Sequence, residues 1–176
     1  MGLDDDEVKK KIDQLQRACD EAYDYPPAAK SCSHAVWYTI QKLINPQEPL
    51  RTANDLIAYM IASKDWRTVS VEDAWKLANE GKVVVGGKID TPNGHVIVVY
   101  PGTKVPGGGY QYSFKNKMTG KVEQLTMRSH GLLPRCLSRS MGSWPGGLSK
   151  GDKNVFDPWG NDTAVAQVKF WTMDKP

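Results

Sequence analysis

The 176-residue chain has few cysteines and no long apolar run. Its three cysteines, Cys19, Cys32 and Cys136, are too few for a small disulfide scaffold. Cys32 and His34 are two residues apart, and on a helix such side chains point apart, so we expect them not to share a metal. No metal site and no cofactor are expected. The longest apolar run, residues 96–100, is far shorter than a membrane-spanning helix, which argues against a membrane protein.

A secretory leader is also missing from the start of the sequence. The N-terminus reads MGLDDDEVKKKIDQ, with acidic residues first and no apolar stretch after a basic region. The sequence therefore predicts a protein that is made in the cytoplasm and leaves it only through another machine.

Neither sign of charge is in large excess. The chain has 23 basic and 20 acidic residues, a formal net charge of +3, which suits an approach to an anionic polymer such as a cell wall. No run of Lys and Arg is interleaved with stacking aromatics, so we expect no nucleic-acid partner. With 40% hydrophobic and 24% charged residues, the chain 1–176 is expected to form a single globular domain.

The first half of the chain carries the periodicity and the capping residues of helices. An apolar stripe at three- and four-residue steps predicts a first helix, which a Pro-Pro pair ends; the stripe contains Val8, Ile12, Leu15, Cys19 and Ala22. Three further helices are expected over about residues 31–44, 52–60 and 70–80, each opened by Ser or Thr.

The second half is rich in β-branched residues and turn signals. Strands are predicted at residues 82–89, 95–100, 110–114, 122–127 and 166–171. The Gly-, Ser- and Pro-rich residues 131–160 are expected to form an ordered loop that aromatic residues anchor. Helices followed by short antiparallel strands predict an α+β fold, with the N-terminal helices packed on an antiparallel sheet.

Cys32 and His95 are the candidate catalytic residues. A cysteine in the first turn of a helix is stabilised as a thiolate by the helix dipole, and the free N–H groups there can donate to an oxyanion. His95 opens an apolar strand directly after the turn residues Asn93 and Gly94, where it can face a cleft. A cysteine at a helix start facing a strand histidine is the geometry of papain-like hydrolases. On spacing alone the pair is not specific, because a lone cysteine is more often structural than catalytic.

Three stretches of the sequence resemble a known family. SCSHAV at residues 31–36 and GHVIVV at residues 94–99 resemble the type VI secretion amidase effectors, compact relatives of the NlpC-type and CHAP peptidoglycan amidases. AWKLANEGKVVVG at residues 74–86 is similar to the helix and strand that lead to the catalytic histidine in that family. The similarity in order and spacing extends from about residue 18 to residue 173.

The resemblance implies a papain-like fold and a Cys–His pair that cuts amides of peptidoglycan stem peptides. Cys32 would be the nucleophile and His95 the general base and acid. The start of the helix at Cys32, Ser33 and His34 would supply the oxyanion hole and substrate contacts. His34 stands where relatives have Gly, and Ser31 where many have Asp, so His34 either lines the cleft or is an exposed helix residue.

The third catalytic group is less defined. In the family it comes from the segment that resembles residues 134–138, which makes Ser138 or Cys136 the candidate. Asp157 and Asn161 are also chemically able to hold the histidine tautomer, whereas His130 has no motif around it and is expected at the surface.

The resemblance also implies a biological setting. Members are injected without a signal peptide into the periplasm of a rival bacterial cell and are neutralised there by a dedicated immunity protein. The helix motif is closer to the group that cuts the crosslink between diaminopimelate and D-alanine than to the group that cuts between D-glutamate and diaminopimelate. A monomer is expected.

Two other functions and one structural alternative stay open at this point. A non-catalytic wall-binding domain would use its tryptophans for recognition, and a transglutaminase-like acyltransferase would use the same Cys and His. Cys19 and Cys136 are either buried and reduced or joined in one disulfide.

Overall fold

The computed structural model describes residues 4–140, 142 and 144–173 of the chain. The helices are α1 (Asp5–Asp24), α2 (Cys32–Leu43), α3 (Ala53–Ala62), α4 (Val71–Ala78) and the short α5 (Asp162–Val165). The strands are β1 (Trp66–Val69), β2 (Val84–Lys88), β3 (His95–Gly107), β4 (Gln111–Lys115), β5 (Val122–Thr126), β6 (His130–Ser138), β7 (Ser149–Asn154) and β8 (Lys169–Met173). Helices at the N-terminus and an antiparallel sheet confirm the predicted α+β class.

The four predicted helices are confirmed, and three of them begin at a capping side chain. The Asp4 carboxylate accepts from the Glu7 N–H at 2.8 Å before α1. The hydroxyls of Thr52 and Ser70 accept in the same way at the starts of α3 and α4. These caps satisfy N–H groups that have no partner within the helix, so the helix starts follow directly from local sequence.

Six strands form one antiparallel sheet in the order β1-β8-β2-β3-β6-β7. The predicted hairpin of β2 and β3 lies at its centre, where Val85 pairs with Val98 and residues 96–99 are fully buried. The predicted pair β4 and β5 forms a separate two-stranded sheet. The helices α1–α4 and the large sheet share one hydrophobic core. This packing brings the start of β3 close to the starts of α2 and α3.

The expectation of a loop over residues 131–160 was wrong. This segment contains β6, which pairs with β3, and β7, which pairs with β6. Its Gly and Pro residues signal turns locally, but the pairing of β6 with β3 and of β7 with β6 overrides that signal. The last strand also begins later than expected, at Lys169, because residues 162–165 form α5. The short edge strand β1 was not predicted.

Cys19 and Cys136 are free thiols with no exposed surface. The disulfide alternative is therefore wrong, and both side chains pack in the core as small apolar groups. Within the described residues, no helix is both long and apolar enough to cross a membrane.

Candidate active site

Cys32 is the first residue of α2. The 3-10 helix Pro26–Lys30 ends just before it, and Ser31 is extended, so the chain turns sharply into the helix. The Ser31 hydroxyl does not cap α2 but lies 2.8 Å from the Ser33 hydroxyl. The first N–H groups of α2 therefore stay available beside the thiol, as the sequence pattern predicts.

Burial and hydrogen bonding act in opposite directions on the Cys32 thiol. Burial raises its pKa, while the backbone N–H groups of Val96, Ser33 and Cys32 favour the thiolate and lower the pKa. Val96 directly follows His95, so the sulfur lies against the strand start that carries the histidine. The net shift is upward, and the resting group at neutral pH is the thiol.

His95 stands at the start of β3, opposite Lys88 of β2. The turn before it is tied to the start of α3 by one side chain, because the Asn54 amide donates to the Asp90 carbonyl oxygen at 2.8 Å and accepts from the Asp90 N–H at 3.2 Å. An ion pair between Lys88 and Asp90 at 2.9 Å closes the same turn. The histidine therefore lies at the start of a strand whose preceding turn is held by two side-chain interactions.

Ser138 is the residue that orients His95. Its Oγ lies 2.9 Å from His95 Nε2 and donates to the Gly147 carbonyl oxygen, also at 2.9 Å. Because the hydroxyl proton is committed to Gly147, Ser138 accepts from Nε2, which must carry the imidazole proton. Nδ1 is then the basic nitrogen. Ser138 has only 1% of its surface exposed, so the arrangement is fixed by the core.

The other candidates for the third position do not contact His95. The Cys136 thiol donates to the Asn154 carbonyl oxygen. The Asp157 carboxylate accepts from the Gly108 N–H, the Tyr110 hydroxyl and the Asn154 N–H, and so fixes the loop after β7. Asn161 caps α5. The side chain of His130 lies outside the described part of the structure.

Trp159 was expected to anchor the loop or, in a wall-binding domain, to serve recognition; in the structure it packs against the candidate catalytic histidine. The two rings meet edge to face, with centroids 5.3 Å apart and an interplanar angle of 78°. Burial lowers the pKa of His95 from 6.5 to about 4. No periodicity or motif around Trp159 points to this contact, because α5 and the loop before it are placed by tertiary packing.

A cavity of about 280 Å³ contains both Cys32 and His95. Its lining residues are Lys30, Ser31, Cys32, Ser33, Thr52, Ala53, Asn54, Pro92, Asn93, Gly94, His95 and Ser140. Ser33 is therefore at the site, but His34 is not among the lining residues. The His34 side chain is half-buried, and its Nδ1 is buried without a partner among the described residues. The contribution of α3 and of Ser140 to this cavity was not predicted.

A larger cavity of about 610 Å³ lies elsewhere, between β1, α4 and β8. No described cysteine or histidine lines it, so its size does not make it the reactive site. No group of three His, Cys, Asp or Glu side chains able to hold a metal ion occurs among residues 4–140, 142 and 144–173.

Profiles of known protein families gave no match to the chain, and neither did the sequences of characterised proteins.

Proposed function

We propose that this protein is a papain-like, NlpC-type cysteine amidase that cleaves peptide amides of peptidoglycan. One observation carries the proposal: His95, with its tautomer held by Ser138, shares a cavity with a cysteine at a helix start. A structural cysteine needs neither the uncapped helix start nor the oriented histidine. The order of the elements, from helix to hairpin to the strand with the third group, agrees with the family resemblance.

The first half of the reaction forms a thioester. His95 Nδ1 takes the thiol proton as the Cys32 sulfur attacks the amide carbon. The negative charge that develops on the carbonyl oxygen is stabilised by the N–H groups of Cys32 and Ser33 at the start of α2. The imidazolium then gives its proton to the leaving amine, and the C–N bond breaks.

The second half releases the enzyme. A water molecule gives a proton to the neutral His95 and attacks the thioester carbon, and the proton then returns to the sulfur. The product is a carboxylic acid, which loses its proton to the solvent, and the thiol and the neutral imidazole are restored. Ser138 keeps Nε2 protonated throughout, so that the same nitrogen, Nδ1, exchanges the proton in both halves.

The proposed substrates are stem peptides, and the proposed bond is the crosslink between diaminopimelate and D-alanine. The test incubates the purified protein and its Cys32→Ala variant with defined muropeptides and weighs the products by mass spectrometry. Conversion of crosslinked dimers to monomers by the wild type alone is expected. Cleavage within monomer stems would move the proposal to the bond after D-glutamate, and intact peptides with both proteins under reducing conditions would reject it.

A matched control guards against a contaminating hydrolase. The Ser113→Ala variant changes an exposed residue of β4 and should cleave as the wild type does. If an added amine is joined to the acyl group instead of water, the acyltransferase alternative holds. If Cys32→Ala and wild type bind sacculi equally and neither cleaves, the wall-binding alternative holds.

The biological setting belongs to the same proposal. As an injected effector, the protein would act in the periplasm of a target cell and be blocked there by a cognate immunity protein. Expression in a Gram-negative host with and without an added export signal tests this. Lysis is expected only for the exported wild type, and equal lysis by the exported Cys32→Ala variant would contradict an enzymatic cause.

A further inference from the structure

The charged groups that line the cavity at Cys32 are positive only. Among its lining residues Lys30 is charged, His95 is held neutral near pH 7 because burial lowers its pKa, and no aspartate or glutamate contributes. Lys30 is exposed and ends the 3-10 helix that leads into Cys32. It has no ion-pair or hydrogen-bond partner within the described part of the chain.

Two helix starts make the electrostatic potential in the cavity more positive. The cavity is lined by the first residues of α2 and also by the first residues of α3. Each helix start carries a partial positive charge. The Thr52 hydroxyl accepts from the Asp55 N–H, which leaves the N–H groups of Ala53 and Asn54 without a partner among the described residues. The α2 start is used by the oxyanion, so the α3 start is a second, separate donor site.

The aspartates nearest in sequence to the lining residues, Asp55 and Asp90, do not neutralise the positive potential of the cavity. Asp90 is paired with Lys88 at 2.9 Å and also accepts from the Thr91 N–H, and Asp55 is exposed and outside the lining. A cation and two helix starts around one cavity favour an anionic group on the bound molecule. A neutral peptide could accept hydrogen bonds here through its carbonyl oxygens but would not neutralise the charge of Lys30.

We propose that Lys30 and the start of α3 bind a carboxylate that the substrate carries next to the scissile amide. This proposal rests on the proposed function and narrows its substrate class. In the crosslink, the amine that leaves belongs to a diaminopimelate carbon that also bears a free carboxylate. The enzyme then selects crosslinks with that carboxylate free over crosslinks in which it is amidated.

The test compares two crosslinked dimers that differ only in this group, one with the free carboxylate and one with the carboxamide. For the wild type, kcat/KM should be about tenfold higher with the free-carboxylate dimer than with the carboxamide dimer, mainly because KM is lower. A tenfold difference corresponds to the free energy of about one charge-assisted hydrogen bond. The preference should fall as salt is added, because Lys30 is exposed. Lys30→Gln should remove the preference, and Lys30→Arg should keep most of it.

Lys115→Gln is the matched control, since it removes an exposed lysine of the β4–β5 hairpin outside the cavity. Equal cleavage of both dimers by the wild type, or an unchanged preference in Lys30→Gln, would overturn the inference.

A binding measurement separates this inference from the proposed function. Calorimetric titration of Cys32→Ala with the two dimers should show tighter binding of the free carboxylate, and Cys32→Ala with Lys30→Gln should not. If the wild type cleaves neither dimer, the proposed function fails, and this titration alone decides whether the cavity recognises a carboxylate. Equal binding of both dimers rejects it.

Discussion

His95 Nε2 lies 2.9 Å from Ser138 Oγ, and this hydroxyl donates to the Gly147 carbonyl oxygen at the same distance. Because the carbonyl oxygen can only accept, the serine hydroxyl must donate to it and accept from Nε2. The histidine therefore carries its proton on Nε2, and Nδ1 is unprotonated. A neutral serine orients the imidazole here, a role that a carboxylate or an amide has in other Cys–His sites.

Replacing Ser138 by Ala should lower kcat/KM without removing Cys32 or His95 from the cavity. The loss of a hydrogen bond that fixes the tautomer is worth about 1–2 kcal/mol, or about 5- to 30-fold in rate. Steady-state kinetics on a crosslinked dimer measure the effect, with Ser113→Ala as the surface control. Activity equal to wild type in Ser138→Ala would show that another group orients the imidazole.

The pH dependence of kcat/KM should show an acidic limb well below the usual histidine range. Burial lowers the pKa of His95 to about 4, so the base form that accepts the thiol proton persists down to about that pH. Burial also raises the pKa of the Cys32 thiol, so the pair rests as thiol and neutral imidazole at pH 7. A profile from about pH 3.5 to about pH 9 tests this, and a limb near the ordinary histidine pKa of about 6.5 would contradict it.

Trp159→Ala should move that acidic limb upward. The indole packs in a T-shaped contact against the His95 ring, and its removal lets water reach the imidazole, so the pKa should rise from about 4 toward 6.5. Titration of the His95 ring signals by NMR gives the pKa directly. Trp75→Ala is the control, because Trp75 donates to the Gly102 carbonyl oxygen farther along β3. An equal shift in both variants would point to a general loosening of the fold.

Cys32 should be the thiol that reacts in the native protein. Cys19 and Cys136 have no exposed surface, and burial raises the pKa of both, so neither is accessible nor ionised. Iodoacetamide labelling followed by peptide mass mapping should modify Cys32 first, and all three thiols only in denaturant. Labelling of Cys136 at the rate of Cys32 would contradict the buried placement.

Gly94→Ala should destabilise the turn that leads into His95. An added Cβ would lie 2.7 Å from the Lys88 carbonyl oxygen and would overlap the Asn54 amide oxygen. Overpacking of this kind costs about 1–3 kcal/mol in the free energy of unfolding. Urea unfolding measures it, with Gly131→Ala as the control, since a Cβ there meets nothing within 4 Å.

A double variant tests the cause of that loss. Asn54→Ala removes one of the two groups that the new Cβ meets, so Gly94→Ala combined with Asn54→Ala should cost less than the sum of the two single changes. Additive losses would mean that the turn and α3 are not coupled.

The helices and the central hairpin were predictable because their signals are local. The caps at Asp4, Thr52 and Ser70 and the apolar stripe of α1 act within a few residues, and the β2–β3 hairpin combines β-branched runs with a short turn. The strands β6 and β7 were missed because β6 is stabilised by pairing with β3, about forty residues earlier in the sequence, and β7 in turn pairs with β6. The same long-range pairing brings Ser138 to His95.

The sequence by itself determined that Cys32 starts a helix and that His95 starts a buried strand, since capping, proline and β-branched patterns decide such positions locally. Only the tertiary structure decided that Ser138 holds the imidazole, that Trp159 covers it, and that α3 supplies one wall of the cavity. Those contacts join segments that are tens of residues apart. They exist because the packed sheet fixes where the segments meet, and no spacing along the chain encodes that distance.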